Sequence, residues 1–267
     1  MNGVSGEDPV AQLREEGWCV VPDVLTPAET AEARERLWRA AERSRERGMP
    51  TYMPVLDPND RNVRVFHLLE LDPLFRELIA HPRALELVRA LLGDGFLISN
   101  FTANIALPGS RSMTLHSDQA LVVPPPWLEP WSINVIWCLH DVREANGATR
   151  YVPGSHRWSG LDQVPEDAAA RSRAFEASAG SIIAMDGRVW HTSGANVTED
   201  EQRALLFGYY SADFLRTQVN WNVVLSPATQ AGLDDFLRHR LGLNAEANVR
   251  VGGEILQRRP GLQGGTQ

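Results

Sequence analysis

The sequence predicts an α+β protein: a double-stranded β-helix, the jelly-roll barrel, flanked by helices. Three observations carry this. Helical periodicity is confined to the first third of the chain and to a stretch near 226–241. Between them lie some eight short apolar segments parted by turn residues, a pattern of sandwiches and barrels and not of alternating βα units. Residue types suited to one chemical site are spread between positions 116 and 203, so those segments must converge in a single domain.

Residues 1–8 are polar and acidic and are expected to be disordered. Helices are expected over 9–16, 27–46, 73–79 and 82–92. Thr26-Pro27-Ala28-Glu29 is a helix start, with Thr26 as N-cap, Pro27 at the first helical position and Glu29 closing a capping box. In E-A-R-E-R-L-W-R-A-A-E-R-S-R-E-R acids and arginines interleave at helical spacing, which makes a solvated, salt-bridged helix and not a basic patch. Strands are expected over 96–107, 114–119, 131–142, 148–153, 173–177, 180–186, 188–192 and 203–210. A helix near 226–241 follows, and the tail from about 252 is expected to be mobile, leaving 9–251 as the domain. No internal repeat is visible.

The 26 Lys and Arg against 34 Asp and Glu give a net charge of −8, which argues against nucleic acid as a partner. No apolar stretch approaches the length of a membrane span, and the polar start is not a signal peptide. Cys19 and Cys138 lie in apolar strand-like runs and read as reduced core thiols of a cytoplasmic protein. With no C-x-x-C, a Cys/His zinc site is not supported. A small-molecule substrate and a monomer or homodimer are expected.

The chemistry lies in His116 and Asp118 of T-L-H-S-D-Q and His191 of G-R-V-W-H-T-S-G. With 7 His and 34 acids in 267 residues, about one His-x-acid match arises by chance, so the pair alone carries little. On a strand, positions i and i+2 share a face, so His116 and Asp118 would project together while Ser117 points away. A distant strand must supply the third ligand, and His191 follows an apolar run and the Asp186-Gly187 turn. Two imidazoles and one carboxylate on one metal face are the ligand set of non-haem Fe(II) oxygenases, which leaves open positions for a co-substrate and O2. Arg203 opens the next apolar strand and suits an organic carboxylate.

The segment W-S-I-N-V-I-W-C-L-H-D-V-R-E-A-N-G-A-T-R-Y-V-P-G-S-H-R-W, with L-R-E-E-G-W-C-V-V-P-D-V-L-T-P-A-E-T before it and H-T-S-G-A-N-V-T-E-D-E-Q-R-A-L after it, resembles the phytanoyl-CoA dioxygenase (PhyH) family. The likeness runs from about residue 10 to about 225 and is strongest to the branch of these iron(II)/2-oxoglutarate-dependent oxygenases that tailors specialised metabolites in natural product biosynthesis. It implies a cupin-like fold, an Fe(II) held by His116, Asp118 and His191, and 2-oxoglutarate and O2 as co-substrates. It further implies that Arg203 receives the far carboxylate of 2-oxoglutarate, helped by Thr149. Ser193 and Asn104 are further co-substrate candidates. Some relatives carry glutamine where this chain has Met113, so that contact is expected to be absent or replaced.

A mostly apolar substrate is expected between loops 51–57 and 119–131 and the segment near Trp221. Gln119, Trp127, Trp131, Trp221 and Tyr52 are its candidate contacts, each of which could equally be core or surface. Tyr210 is a sixth candidate, because some relatives place a tyrosine there, although strict alternation aims it away from the face of Arg203 unless the strand bulges. His156 in P-G-S-H reads as structural, and Asn196-Val197-Thr198 as loop. Hydroxylation is the default outcome; desaturation, epoxidation or cyclisation needs only a different fate of the substrate radical. The retained Asp118 argues against a halogenase. A non-catalytic cupin-like metal or ligand binder is the alternative of another class, although a closed structural site would want a fourth protein ligand.

Overall fold

The computed structural model of the chain describes residues 8–244. The expected tail from 252 and the first seven residues lie outside that range. Asp8, which closes the segment expected to be disordered, caps α1 (Pro9–Glu16) by accepting from the Val10 amide at 3.1 Å. Gly17 ends that helix in the left-handed region, φ 79°, and a Cβ there would lie 2.6 Å from His156 Cγ. Both the backbone and the close packing therefore require glycine.

β1 (Trp18–Val21) follows, then α2 (Pro27–Glu46), whose capping box between Thr26 and Glu29 forms as the sequence predicts. β2 (Asn62–Val65) and the one-turn α3 (Leu68–Leu71) were not expected, because four-residue elements carry too little periodicity. α4 (Pro73–Ile79) and α5 (Pro82–Leu92) start with proline after the caps Asp72 and His81. The remaining strands are β3 (Phe96–Ala106), β4 (Ser132–Cys138), β5 (Thr149–Tyr151), β6 (Arg173–Ala174), β7 (Ile182–Asp186), β8 (His191–Ser193) and β9 (Arg203–Ala212).

They form two antiparallel sheets, one in the order β1-β7-β4-β9-β3-β2 and one in the order β6-β5-β8, the expected double-stranded β-helix. Alternation on β4 decides what each face covers. Ile133, Val135 and Trp137 join Leu37, Phe75 and Leu85 in a core between the large sheet and the helices. Ile136 and Cys138 point the other way and pack with Tyr151, Phe175 and Met185 between the sheets. Each such buried side chain contributes about 1.5–3 kcal/mol by leaving water. Cys19 and Cys138 are free buried thiols, and burial pushes both up to about 12, so neither is a reactive thiolate.

Two expectations need correction. The expected strand 114–119 is absent: His116 forms a lone bridge to His191, and a 3-10 turn begins at Asp118 (Asp118–Leu121). Ser117 and Gln119 both donate to the Gly187 carbonyl, which bends the chain away from any second strand partner. The expected helix 226–241 is broken into α7 (Pro227–Ala231) and α8 (Asp235–Arg240), after α6 (Trp221–Val224). Gly232 stops α7 and Asp234 recaps the chain by accepting from the Leu237 amide at 2.7 Å.

Candidate active site

His116 and His191 are brought together by backbone pairing. His116 N–H donates to His191 O at 2.9 Å, and His191 N–H donates to His116 O at 2.7 Å. Their rings lie 4.4 Å apart between centroids. Asp118, two residues on, points its Oδ1 between them, 3.9 Å from each Nε2. One ligand atom from each of the three lies within 4.8 Å of the others. Among the described residues no fourth His, Cys, Asp or Glu joins the cluster.

The chemistry of the donors fits a metal ion. Each Nδ1 meets a carbonyl at 2.9 Å, that of Thr114 for His116 and that of Val189 for His191. A carbonyl only accepts, so each Nδ1 carries the proton and each Nε2 turns a free lone pair toward Asp118. Burial pushes the pKa of His191 down, which favours its neutral, ligating form. Three donors without a fourth leave the rest of a coordination sphere open to small molecules.

That open side is a cavity of about 450 Å³ shared by the three donors, Arg203, Asn104, Thr149 and Ser193. Arg203 is 1% exposed. It donates through Nε to Gly147 O at 3.0 Å and through Nη1 to the backbone and side-chain oxygens of Asn104, both at 3.3 Å. Every one of these acceptors is neutral, and among the described residues no carboxylate pairs with it. Burial lowers it only to about 10, so it remains a cation. Thr149 pairs with Ser193 across β5 and β8. Ser193 Oγ accepts from Met113 N–H at 3.0 Å, and Arg64 donates to Met113 Sδ at 3.2 Å. An arginine thus stands beside the position where some relatives carry glutamine.

The six substrate candidates lie elsewhere. Gln119 is fully buried and spends both ends of its amide on its own loop, donating to Glu129 O at 2.8 Å and accepting from Trp131 N–H at 2.7 Å. Trp127 donates its indole N–H to Val122 O at 2.7 Å and lines a separate cavity of about 370 Å³ beside His156. Trp131 packs edge-on against Phe214. Trp221 is a core residue whose indole N–H reaches Ile98 O at 2.7 Å. Tyr52 does not line the metal cavity, where its loop is represented by Leu56. Tyr210 points into the outer core and donates to Ile79 O at 2.6 Å, because β9 does not bulge and alternation holds.

Besides the three donors and Asn104, Thr149, Ser193 and Arg203, the cavity is lined by residues that the sequence does not single out. Phe207 and Tyr209 share the face of Arg203 on β9, and the parity that turned Tyr210 away would have found them. Asn100, Thr102 and Asn104 face it from β3, beyond a register shift between Ile98 and Asn100. Leu56, Phe66 and Leu121 add apolar wall, and Arg64, paired with Asp57 at 2.8 Å, adds a neutralised charge. Of the other motifs, His156 is buried against Gly17, as a structural histidine would be. Asn196 donates its amide to Ala106 O and Glu201 O, which suits a loop anchor.

The family model described as phytanoyl-CoA dioxygenase (PhyH) matches residues 13–204. The chain is 51% identical over 238 residues to the dioxygenase af480 of Aspergillus fumigatus, covering 89% of this chain and 77% of that protein. Among solved structures it resembles HygX from Streptomyces hygroscopicus with nickel and 2-oxoglutarate bound, with a TM-score of 0.64 at 17% identity over 78% of this chain and 88% of that one. It also resembles SnoK, a non-haem alpha-ketoglutarate-dependent carbocyclase from nogalamycin biosynthesis, with a TM-score of 0.63 at 21% identity over 78% and 84% of the two chains.

Proposed function

The chain belongs to the phytanoyl-CoA dioxygenase family, and from that premise we propose that it is an iron(II)- and 2-oxoglutarate-dependent dioxygenase that hydroxylates a mostly apolar specialised metabolite. The observation that carries this reading is one cavity with two contents: a two-histidine, one-carboxylate cluster of fixed tautomer, and a buried arginine whose described acceptors are all neutral. A structural metal site would need the first and have no use for the second.

His116 Nε2, Asp118 Oδ1 and His191 Nε2 would hold the metal. Bound iron with 2-oxoglutarate and O2 supplies the oxidising power, with succinate and CO2 as the co-products. Arg203 receives the distal carboxylate of 2-oxoglutarate as a charge-assisted pair, and Thr149 adds a hydroxyl donor beside it. The β-sandwich keeps that pair dry, which strengthens it. Leu56, Phe66, Leu121 and Phe207 form the wall that favours an apolar substrate and excludes water from the reacting carbon. Cys19 and Cys138, both buried thiols, suit a cytoplasmic setting.

The test is co-substrate turnover. Protein supplied with Fe(II), 2-oxoglutarate and O2 should release succinate, faster with a suitable metabolite, and the Asp118→Ala variant should not. Metal binding without any succinate across a broad metabolite panel would favour the non-catalytic binder instead. Product analysis separates hydroxylation from desaturation, epoxidation or cyclisation.

A further inference from the structure

Asn134 is an amide in a strand whose seven residues are all buried. On the inward face of β4 the order is Ser132, Asn134, Ile136, Cys138, so the polar residues stand at one end of an otherwise apolar row. β4 pairs Asn134 with Met185 of β7 on one side and with Tyr209 of β9 on the other. Flanked by strands on both sides, this position cannot drift toward or away from the metal cluster.

The Asn134 side chain is 7% exposed, and Nδ2 donates to Asp118 Oδ2 at 3.1 Å. An ionised carboxylate only accepts, so the NH2 end of the amide must face it. Asn134 Oδ1 is then left buried with no hydrogen-bond partner among the described residues. The amide thus gives up one of its own bonds to make the bond to Asp118. The two oxygens of Asp118 are treated differently as a result: Oδ2 is tied to Asn134, while Oδ1 faces both Nε2 atoms.

We propose that Asn134 is a positioning residue that keeps Asp118 a one-oxygen ligand. This rests on the reading of His116, Asp118 and His191 as the metal ligands. A carboxylate free to turn can offer both oxygens to one ion, as carboxylates do at many metal sites. Here a second oxygen would take one of the three positions that 2-oxoglutarate and O2 require. Holding Oδ2 in a hydrogen bond keeps that position open, and it orients the remaining oxygen as partners behind a metal ligand commonly do.

The experiment uses Co(II) as the probe, on the full-length protein, with no substrate needed. Asn134→Leu keeps the volume and removes the hydrogen bond; Asn134→Ser is the second variant should leucine prevent folding. Each is compared with the parent by the visible spectrum of the bound Co(II), which reports coordination number, and by calorimetric titration of the Co(II)-loaded protein with 2-oxoglutarate. The expected result is a spectrum shifted toward higher coordination and a 2-oxoglutarate Kd raised about 10–100-fold, with the melting temperature of the metal-free protein unchanged. A Co(II) spectrum and a 2-oxoglutarate Kd both matching the parent would overturn the role of Asn134. A parent protein that binds Co(II) equally well after Asp118→Ala would instead overturn the ligand assignment beneath it.

Discussion

His116 and His191 are each other's backbone partners, exchanging hydrogen bonds of 2.9 and 2.7 Å in a bridge that belongs to no longer strand pair. This backbone pairing sets the two imidazoles side by side. Asp118 sits 3.9 Å from both Nε2 atoms in the same arrangement.

A preorganised cluster of this kind should bind metal to the folded state and stabilise it. At a free Ni(II) or Co(II) concentration of 100 times Kd, the stabilisation is about 2.7 kcal/mol. In a chain of this size that raises the melting temperature by roughly 5–10 °C. Thermal melts with and without the metal check this. Asp118→Ala should remove the shift, measured against that variant's own metal-free melt, because the substitution also takes the hydrogen bond from Asn134. An undiminished shift would place the carboxylate ligand elsewhere.

Arg203→Lys tests the co-substrate site. Lysine keeps the charge but lacks the planar fork, and it cannot reach the Gly147 and Asn104 oxygens in the same geometry. The KM for 2-oxoglutarate should rise about 10–100-fold, equivalent to roughly 1.4–2.8 kcal/mol of lost binding. Circular dichroism should show the fold retained. An unchanged KM would remove Arg203 from the site.

These two predictions rest on residues legible from the sequence, and the reason is physical. A candidate metal ligand set and a candidate anion partner need particular residue types, and T-L-H-S-D-Q, V-W-H-T-S-G and Arg203 provide them in a family order. Strand parity was equally legible, and it overrules the candidacy of Tyr210 as a substrate contact, since the side chain points out of the cavity. The loop between Asp118 and β4 was not. Its course depends on Gln119 clamping Glu129 and Trp131, and on Trp127 turning its N–H back to Val122. Such contacts have no periodicity, so an aromatic on that loop reads equally as substrate wall or as loop core. Asn134 was hidden for a related reason: one amide inside an apolar strand shows its purpose only once Asp118 is placed against it.

The pH dependence of stability should follow buried histidines. Burial, with Arg34 and Arg203 nearby, pushes His140 down to about 4, and its Nδ1 accepts from Ala204 N–H at 3.2 Å. The unfolded imidazole titrates near 6.5, so below that pH the unfolded chain takes up a proton that the folded one refuses. Stability is therefore full above about pH 6.5, falls as pH drops toward about 4, and stops falling on this account below it. Urea midpoints of the metal-free protein across that window check the slope. His140→Gln keeps an acceptor for Ala204 and should flatten it in part, leaving the share of His67, His81, His156 and His191, which burial also lowers. A slope unaffected by His140→Gln would show that its imidazole titrates normally.

The neighbours Tyr209 and Tyr210 should separate function from stability. Tyr210 is fully buried, and its hydroxyl donates to the Ile79 carbonyl at the end of α4. Tyr210→Phe leaves that carbonyl unsatisfied and should cost about 1–3 kcal/mol of stability, with succinate formation unchanged in the folded fraction. Tyr209 lines the metal cavity, where burial and the nearby Asp118 carboxylate raise its pKa and hold it as a neutral phenol. A neutral phenol next to the reacting centre can donate a hydrogen bond to a bound molecule. Tyr209→Phe should thus leave the melting temperature within about 2 °C of the parent and lower substrate-stimulated turnover about 10-fold, the scale of one lost hydrogen bond in a dry site. Paired melts and succinate assays on the two variants decide the matter: the opposite pattern, with Tyr210→Phe inactive and Tyr209→Phe only less stable, would mean that β9 presents its other face to the substrate.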